Sequence, residues 1–522
     1  MSRILTVLPT ILVACGLQSL LADDFRVLPY LQNPAPGSMT IRWFSESEVP
    51  GRIEVYPEEA GDELTGSSVV SLHTSPELAE ALSENPFQNE PEDSPAGLPY
   101  RHTAVLKDLK ASATYRYRVI QNEDEFRGVF RTAPAADSPI RLIVYSDSET
   151  EPESSVVAPV SWPAAAAGNR PTETTTYLVN QTVGYRENCR LIEARSPDLL
   201  VISGDLVECG GEQRDWDEFW RHNSGEYGRL ASKIPILPAL GNHENYAGPG
   251  GGYSAAGADF STAKYLTYFS VPGNGASNPH HNGRYYRLDY GPVTLITLDS
   301  SDGLPHKTAA DTNHSLEGSH APDFNPGSEQ FAWLETQLAE AQRASRFTFV
   351  QFHHTMFGSG PHSVPFGHQG FSGQSGIAMR VLLPLFMKYG VDVVFSGHDE
   401  MLERSYVSGE EHLASGDIRK HEIHMYDVGV GGDGLRGPSE GFDNPYRKFL
   451  AHDDAPEVWK DGVLVSGGKH YGHLEVNVAP DANGRWSVQI EPVHVFPVME
   501  ADRTVISWER RIYDDTVTIL QN

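Results

Sequence analysis

The chain has 522 residues, 39% hydrophobic and 21% charged, an ordinary globular composition with room for two or more domains. A formal net charge of −30 argues against a nucleic-acid backbone as the main partner and fits solubility outside the cell. Three cysteines are too few for a disulfide framework to carry the fold.

Arg3 is followed by a mostly apolar stretch from Ile4 to Ala22 and then by Asp23 and Asp24. A charged start, an apolar middle and a small residue at the end predict a secretory signal over residues 1–22, cleaved near Ala22. Two alternatives stand beside it. One is an uncleaved anchor, weakened by Pro9 and Gln18 and by a length at the short limit of about 17–25 residues. The other is a bacterial lipobox, Leu12-Val13-Ala14-Cys15-Gly16, which would put a lipid on Cys15. No other stretch reaches membrane-spanning length, so the mature chain is expected to be secreted or periplasmic, with lipoprotein anchoring as the alternative. Cys189 and Cys209 then remain, either as one disulfide or as two buried thiols.

Residues 25–135 read as strands. Ser38–Phe44, Gly51–Tyr56, His102–Leu109, Thr114–Ile120 and Gly128–Thr132 alternate or cluster as half-buried strands do, with few helical patterns between them. This predicts a small antiparallel β-sandwich. Between the second and third strands, Pro57 to Pro99 form an acidic, Pro/Ser-rich insertion that reads as a solvated loop, with one short helix around Pro76–Glu84 as the alternative. Ala133 to Asp137 read as a linker.

From residue 138 the period changes, and strands alternate with helices, which is the α/β signal. Arg141–Ser146 precedes a helix at Glu187–Arg195, and Leu199–Ser203 precedes one at Trp216–Leu230. Val293–Asp299 precedes Ser328–Ala344, and Phe347–Phe352 precedes Ile377–Tyr389. Phe331, Leu334, Leu338 and Ala341 share one helix face, with Pro326 near its start; Gly390 ends the later helix. Strands return from about His421. The domains are expected at 25–135 and 138–500, with residues 501–522 as a C-terminal extension.

Five apolar strands each end in metal-ligand chemistry. They lead to Asp147, to Asp205, to Asn242-His243-Glu244, to His353-His354 and to His398-Asp399-Glu400. Ligands in open α/β sheets bind beyond the carboxyl ends of strands, so five such ends can converge on one cleft. Asp205 has two oxygens and can bridge two ions. Asn242, His353 and His398 offer an amide oxygen and two imidazoles, which suit Zn, Mn or Fe. Asp147 and Glu400 offer harder oxygen ligands to the second ion. Two ions about 3.5–4 Å apart can acidify a shared water and clamp an in-line phosphoryl displacement. His243 is placed to face the substrate, and His354 and His362 are candidates for binding it or protonating the leaving group.

The ordered set Gly204-Asp205, Gly241-Asn242-His243-Glu244, His353 and Gly397-His398 resembles the calcineurin-like metallophosphoesterases, in the purple acid phosphatase branch. Pro29-Tyr30-Leu31-Gln32 resembles the start of that branch's fibronectin-III-like N-terminal domain, and Leu298-Asp299-Ser300 and Trp333-Leu334-Glu335 resemble its catalytic domain. The resemblance implies two mixed β-sheets flanked by helices and a dinuclear centre at their edge. It implies hydrolysis of phosphomonoesters, or sometimes diesters, by a metal-bound hydroxide. It further implies that Asp147 ligates site one, Asp205 bridges, Asn242, His353 and His398 ligate site two, His243 contacts phosphate, and His362 faces substrate.

Three positions depart from the family pattern. Ser148-Glu149 stands where x-Gly is expected, Glu208 replaces the family's tyrosine, and Glu400 replaces its second histidine. Site one then becomes all oxygen, with Asp147, Asp205, Glu400 and either Glu208 or Glu149. Such a set favours a harder ion such as Fe, Mn, Mg or Ca, while site two keeps Zn, Mn or Fe. Gly429 to Gly434 fits G-x-G-x-x-G, but no helix follows, so it reads as a turn near the site rim. The scattered histidines His280, His281, His306, His314, His320 and His452 read as mostly solvated.

The expected function is a secreted, acid phosphatase-like phosphomonoesterase acting on small phosphate esters through two metal ions. The alternatives are a phosphodiesterase or nucleotide hydrolase and, from another class, a non-catalytic metal-stabilised binding protein. Specificity would lie in the loops 301–325 and 355–376.

Overall fold

Alternating burial organises the N-terminal region of the computed structural model. The structure describes residues 24–58, 73–75, 87, 100–156, 178–451 and 456–521. The signal segment with Cys15, the Pro76–Glu84 stretch read as a loop or short helix, and His452 lie outside them. Seven strands come first: β1 (Phe25–Ala35), β2 (Ser38–Ser45), β3 (Arg52–Pro57), β4 (His73–Ser75), β5 (Tyr100–Leu106), β6 (Thr114–Gln121) and β7 (Asp124–Arg131). They form two antiparallel sheets, β1-β2-β5-β4 and β3-β6-β7. In β6, buried Tyr115, Tyr117 and Val119 alternate with less buried Arg116 and Arg118. Both sheets contribute to one core, with Ile41 and Trp43 from one and Ile53 and Phe130 from the other. This is a β-sandwich.

The remaining chain builds two larger sheets. In chain order it runs β8 (Ile140–Tyr145), α1 (Gln181–Ala194), β9 (Leu199–Ile202), α2 (Gln213–Asn223), β10 (Ile236–Pro238) and α3 (Ala255–Tyr268). It continues with β11 (Tyr286–Tyr290), β12 (Val293–Thr297), α4 (Glu329–Ala344), β13 (Phe347–His354), α5 (Leu383–Lys388), β14 (Val393–Gly397), β15 (Leu402–His412), β16 (Ile418–Val428) and β17 (Arg447–Leu450). A ribbon, β18 (Val458–Lys460) and β19 (Val463–Ser466), precedes β20 (Gly472–Pro480), β21 (Trp486–Met499), β22 (Val505–Ile512) and β23 (Val517–Leu520).

One seven-stranded sheet has the order β10-β9-β8-β20-β21-β22, with β23 also paired to β21; the other has β11-β12-β13-β14-β16-β15-β17. Strands β10, β9 and β8 are mutually parallel, as are β12, β13, β14 and β16. The sheets share an apolar core that holds Leu142, Val144 and Val201 from the first and Leu295, Phe349 and Phe395 from the second. The period of two sends the alternate residues outward. Ile143, Leu200 and Ile202 pack with Ile192, Trp216, Phe219 and Tyr265 of α1 to α3. Val350, Phe352 and Val394 pack with Leu334, Leu338 and Phe386 of α4 and α5. The result is a four-layer arrangement, helices outside two mixed sheets.

The sandwich docks on α2 and α3 by specific bonds. Val27, Tyr30 and Phe44 join the α1–α3 core. Tyr30 Oη donates to the Tyr268 carbonyl at 2.7 Å, and Arg42 donates to the Thr267 and Tyr268 carbonyls at 3.1 and 3.2 Å. Those are orphan carbonyls at the end of α3, where a cation also suits the helix dipole.

Three sequence readings differ from the structure. The helix expected at Ile377–Tyr389 is a 3₁₀ turn at Gly376–Leu382 followed by α5. Pro384 has no N–H to donate and its ring crowds the carbonyl of Arg380, which breaks a continuous helix there. The helix expected at Trp216–Leu230 is Gln213–Asn223; it ends before Gly225, where a Cβ would meet the Trp220 carbonyl at 2.7 Å. Residues 501–522, set apart as an extension, supply β22 and β23, both hydrogen-bonded to β21. Cys189 and Cys209 are free and buried, which leaves the two-thiol reading of the two. No helix among the described residues is long and apolar enough to cross a membrane.

Candidate metal centre

The carboxyl ends of β8, β9, β10, β13 and β14 meet at one edge of the two sheets. Three atoms crowd the His353 Nε2. Asp205 Oδ2 lies at 2.8 Å, Asn242 Oδ1 at 2.9 Å and His398 Nδ1 at 3.2 Å. The other ring nitrogens fix the tautomers. His353 Nδ1 faces the Ser203 carbonyl at 3.0 Å, and His398 Nε2 faces the Gln374 carbonyl at 3.0 Å. Each must donate there, so His353 Nε2 and His398 Nδ1 present lone pairs in the neutral rings. The Asn242 amide donates to Tyr253 Oη at 3.1 Å, which turns its oxygen inward. Two bare nitrogens and two oxygens thus point at one another with no proton among them. That donor set fits a divalent cation with N and O ligands. Without a cation a proton serves: burial lowers the His353 imidazole, but Asp205 outweighs it and raises it to about 9.

A second group is all carboxylate. Glu149, Glu400 and Asp433 hold oxygens within 4.8 Å of one another, and Glu149 also groups with Asp205 and His243. Burial first, then the Asp433 charge, pushes both Glu149 and Glu400 well above the usual carboxylate range. Burial raises Asp147 to about 7, and Asp205 adds to it. Buried like charges at this density call for a cation, and oxygen ligands suit a hard one. Arg436 supplies part of the compensation by its ion pair with Glu400.

Backbone geometry holds these groups in place. Asp147, Glu149, Asp205, His398 and Glu400 all have positive φ, between 32° and 83°. Such strain costs about 1–3 kcal/mol per residue and persists only where the surroundings impose it. The Glu244 carboxylate imposes it at Asp205, accepting the N–H groups of Gly241, Leu206 and Asp205 at 2.7, 2.8 and 3.0 Å. At Asp147, the Gly432 and Asp433 N–H groups donate to its carbonyl at 3.0 and 2.9 Å.

The candidate histidines surround this edge. His243 Nε2 lies 3.2 Å from Glu149, and its Nδ1 lies 2.5 Å from the Glu208 carbonyl. His354 Nδ1 meets Ser300 Oγ at 2.8 Å, while its Nε2 is buried with no hydrogen-bond partner among the described residues. His362 stacks on His398 with ring centres 4.0 Å apart and meets Arg436 at 3.1 Å. Burial, then Arg436, lowers His362 to about 3. Asp399 accepts the His362 N–H at 2.7 Å and so fixes that turn.

Two expected ligands stand outside both groups. The Asp147 carboxylate accepts the His398 N–H at 2.9 and 3.1 Å. The Glu208 side chain is 41% exposed, and its nearest approach to His243 is 4.0 Å. Glu149 and Asp433 fill the carboxylate group instead. The glycine-rich run reads from sequence only as a rim turn, and no local pattern marks Asp433 or Arg436. A signal was present in those glycines. A Cβ on Gly429 would lie 2.7 Å from the Glu400 nitrogen, and one on Gly431 would lie 2.5 Å from the Ser146 carbonyl. The run is glycine-rich because its backbone presses against the two carboxylate strands.

Residues 178–399 match the family model for calcineurin-like phosphoesterases. Over this span the chain is similar to the calcineurin-like phosphoesterases. Within the matched span fall Asp205, Asn242, His353 and His398, while Asp147, Glu400 and Asp433 lie outside it. The chain is 30% identical over 310 residues to an uncharacterised protein of Mycobacterium tuberculosis, covering 58% of this chain and 50% of that one. It is 25% identical over 317 residues to probable inactive purple acid phosphatase 27 of Arabidopsis thaliana, over 58% of this chain and 44% of that one. Purple acid phosphatase 22 of Arabidopsis thaliana is 25% identical over 309 residues, 58% and 53% of the two chains. The chain thus spans about half the length of the curated relatives it matches. Purple acid phosphatase PPD1 from yellow lupin (Lupinus luteus) seeds has the same fold, with a TM-score of 0.57, 18% identity, and 92% and 73% of the two chains covered.

Proposed function

We propose that the chain is a metal-dependent phosphoric ester hydrolase of the phosphomonoesterase type, with a dinuclear centre. The observation that carries this reading is the convergence of lone pairs on His353 Nε2 beside the Glu149, Glu400 and Asp433 carboxylates. Asp205, Asn242, His353 and His398 would hold one ion. Asp147, Asp205, Glu149, Glu400 and Asp433 would hold the other. When bound, the ions would supply Lewis acidity and lower the pKa of water.

The chain's own side chains position the ester. Arg436, a cation beside Glu400 and His362, is placed to meet phosphate oxygens. His354 offers its unpartnered Nε2, with the ring oriented by Ser300. His243, held by the Glu208 carbonyl, stands at the rim beside Glu149. Export belongs to the same reading and rests on Arg3 and the apolar run to Ala22.

The test is hydrolysis of an aryl phosphate and a bis-aryl phosphate after chelation and after adding back Mn²⁺, Zn²⁺, Mg²⁺ or Ca²⁺. Turnover restored by metal, and faster on the monoester, is expected. Turnover unaffected by chelation would overturn the reading.

A further inference from the structure

We propose a second, separate metal site formed by Cys209, Glu212 and Asp215, which takes a zinc-like divalent cation. The ligand atoms of these three buried residues lie within 4.8 Å of one another. Asp215 points to a missing partner. It is fully buried, and neither carboxylate oxygen receives a hydrogen bond from the described residues. The nearest cationic atom, Arg214 Nε, is 3.6 Å away. Its single N–H is already donated to Glu212 at 2.5 Å. A buried carboxylate without a donor must take a proton or a cation.

The third group decides which. A carboxylate pair alone would suit a hard ion, but a cysteine sulfur beside it selects a borderline ion that accepts both S and O, with the thiol proton released to solvent on binding. The set does not belong to the centre described above, whose ligands are nitrogen and oxygen only.

Its placement gives it a role. Cys209 lies in the turn whose Glu208 carbonyl meets His243 Nδ1, and whose Gly210 and Gly211 N–H groups donate to the His243 and Tyr246 carbonyls at 3.0 Å each. Cys209 Sγ faces the Tyr246 carbonyl at 3.6 Å. An ion joining Cys209 to the first turn of α2 would lock this turn and so fix the perch of His243. Arg214, which also reaches Glu153, lies over the set and would swing aside on loading.

Cobalt reads the site directly. Co²⁺ titrated into the metal-stripped full chain should give a near-ultraviolet thiolate-to-cobalt charge-transfer band. The other centre has no sulfur and cannot produce it. Cys209→Ser should abolish the band, Cys189→Ser and Cys15→Ser should keep it, and Asp215→Asn should weaken the binding at least tenfold. No band at saturating Co²⁺, or a band that survives Cys209→Ser, would overturn the proposal. Should Cys209→Ser fail to fold, alkylation of the wild-type chain followed by mass spectrometry serves instead. Zn²⁺ should slow modification of Cys209 at least tenfold and leave Cys189 unchanged; equal rates at Cys209 with and without Zn²⁺ would overturn it.

Discussion

The Asp147 carboxylate accepts the backbone N–H of His398, with Oδ1 at 2.9 Å and Oδ2 at 3.1 Å. Asp147 follows β8 of one sheet and His398 follows β14 of the other. The bond therefore ties the two sheets together where the site forms. It needs a bare Cα at Gly397. A Cβ there would lie 2.0 Å from Asp147 Oδ2 and 2.2 Å from Ser146 Oγ. Gly397→Ala is expected to fold with a cost of about 1–3 kcal/mol from overpacking and to lose activity at least about tenfold. Thermal melts and aryl phosphate kinetics measured together check this.

Asp205 faces His353 on one side and the carboxylate group on the other. Asp205→Asn keeps the shape and removes the charge. Turnover should fall by more than the roughly 10–100-fold typical of residues that only orient ligands. A variant that retains a tenth of the activity would rule out a bridging role.

Asp433 belongs to the all-carboxylate group, not to the His353 group. Asp433→Asn should weaken Mn²⁺ binding by at least about tenfold at one site and leave the other close to wild type. Isothermal titration of stripped protein distinguishes the two. Equal weakening at both would mean that the groups act as one.

The chain has Glu208 where the family has its tyrosine, and that carboxylate stands outside both groups. Iron-loaded protein is therefore expected to be colourless. A visible tyrosinate-to-iron absorption band in pure metallated protein would show that another tyrosine, such as Tyr253, has entered the site.

Asp392 carries a pH dependence remote from the centre. It is buried at the start of β14, accepts the Thr348 N–H at 2.8 Å, and faces Glu411 and Arg419. Burial raises its carboxyl from 3.8 to about 7, and Glu411 adds to the rise. The folded state then binds the proton more tightly than the unfolded state. This contribution is complete below pH 3.8 and is lost as pH rises through about 7. Asp392→Asn should flatten the fall in stability across that window in urea melts at fixed temperature.

Much of this was legible in the sequence because buried parallel strands are written as short apolar runs. Leu199–Ile202 and Val393–Gly397 are buried throughout, and the chemistry follows each run directly. The helix α3 was not legible, since its buried face is Ala258, Ser261, Thr262, Tyr265 and Tyr268, with no apolar stripe to mark it. Strand β15 mixes charges into its length and depends on pairing with β16. Asp433 was hidden for a different reason. Its role depends on where a distant loop lands, and no local period records that.

The strand that leads to Asp147 has one neighbour close by in the chain and the other near its far end. On one side β8 pairs with β9; on the other it pairs with β20, so that Arg141 and Asn477 are bonded across 336 residues. During synthesis β8 therefore waits, with one edge open, until nearly the whole polypeptide has emerged. A premature stop anywhere before β20 leaves a Leu-Ile-Val edge without its partner, which is a template for association between chains. Truncated products of this gene are thus expected to aggregate rather than to persist as partly working enzymes.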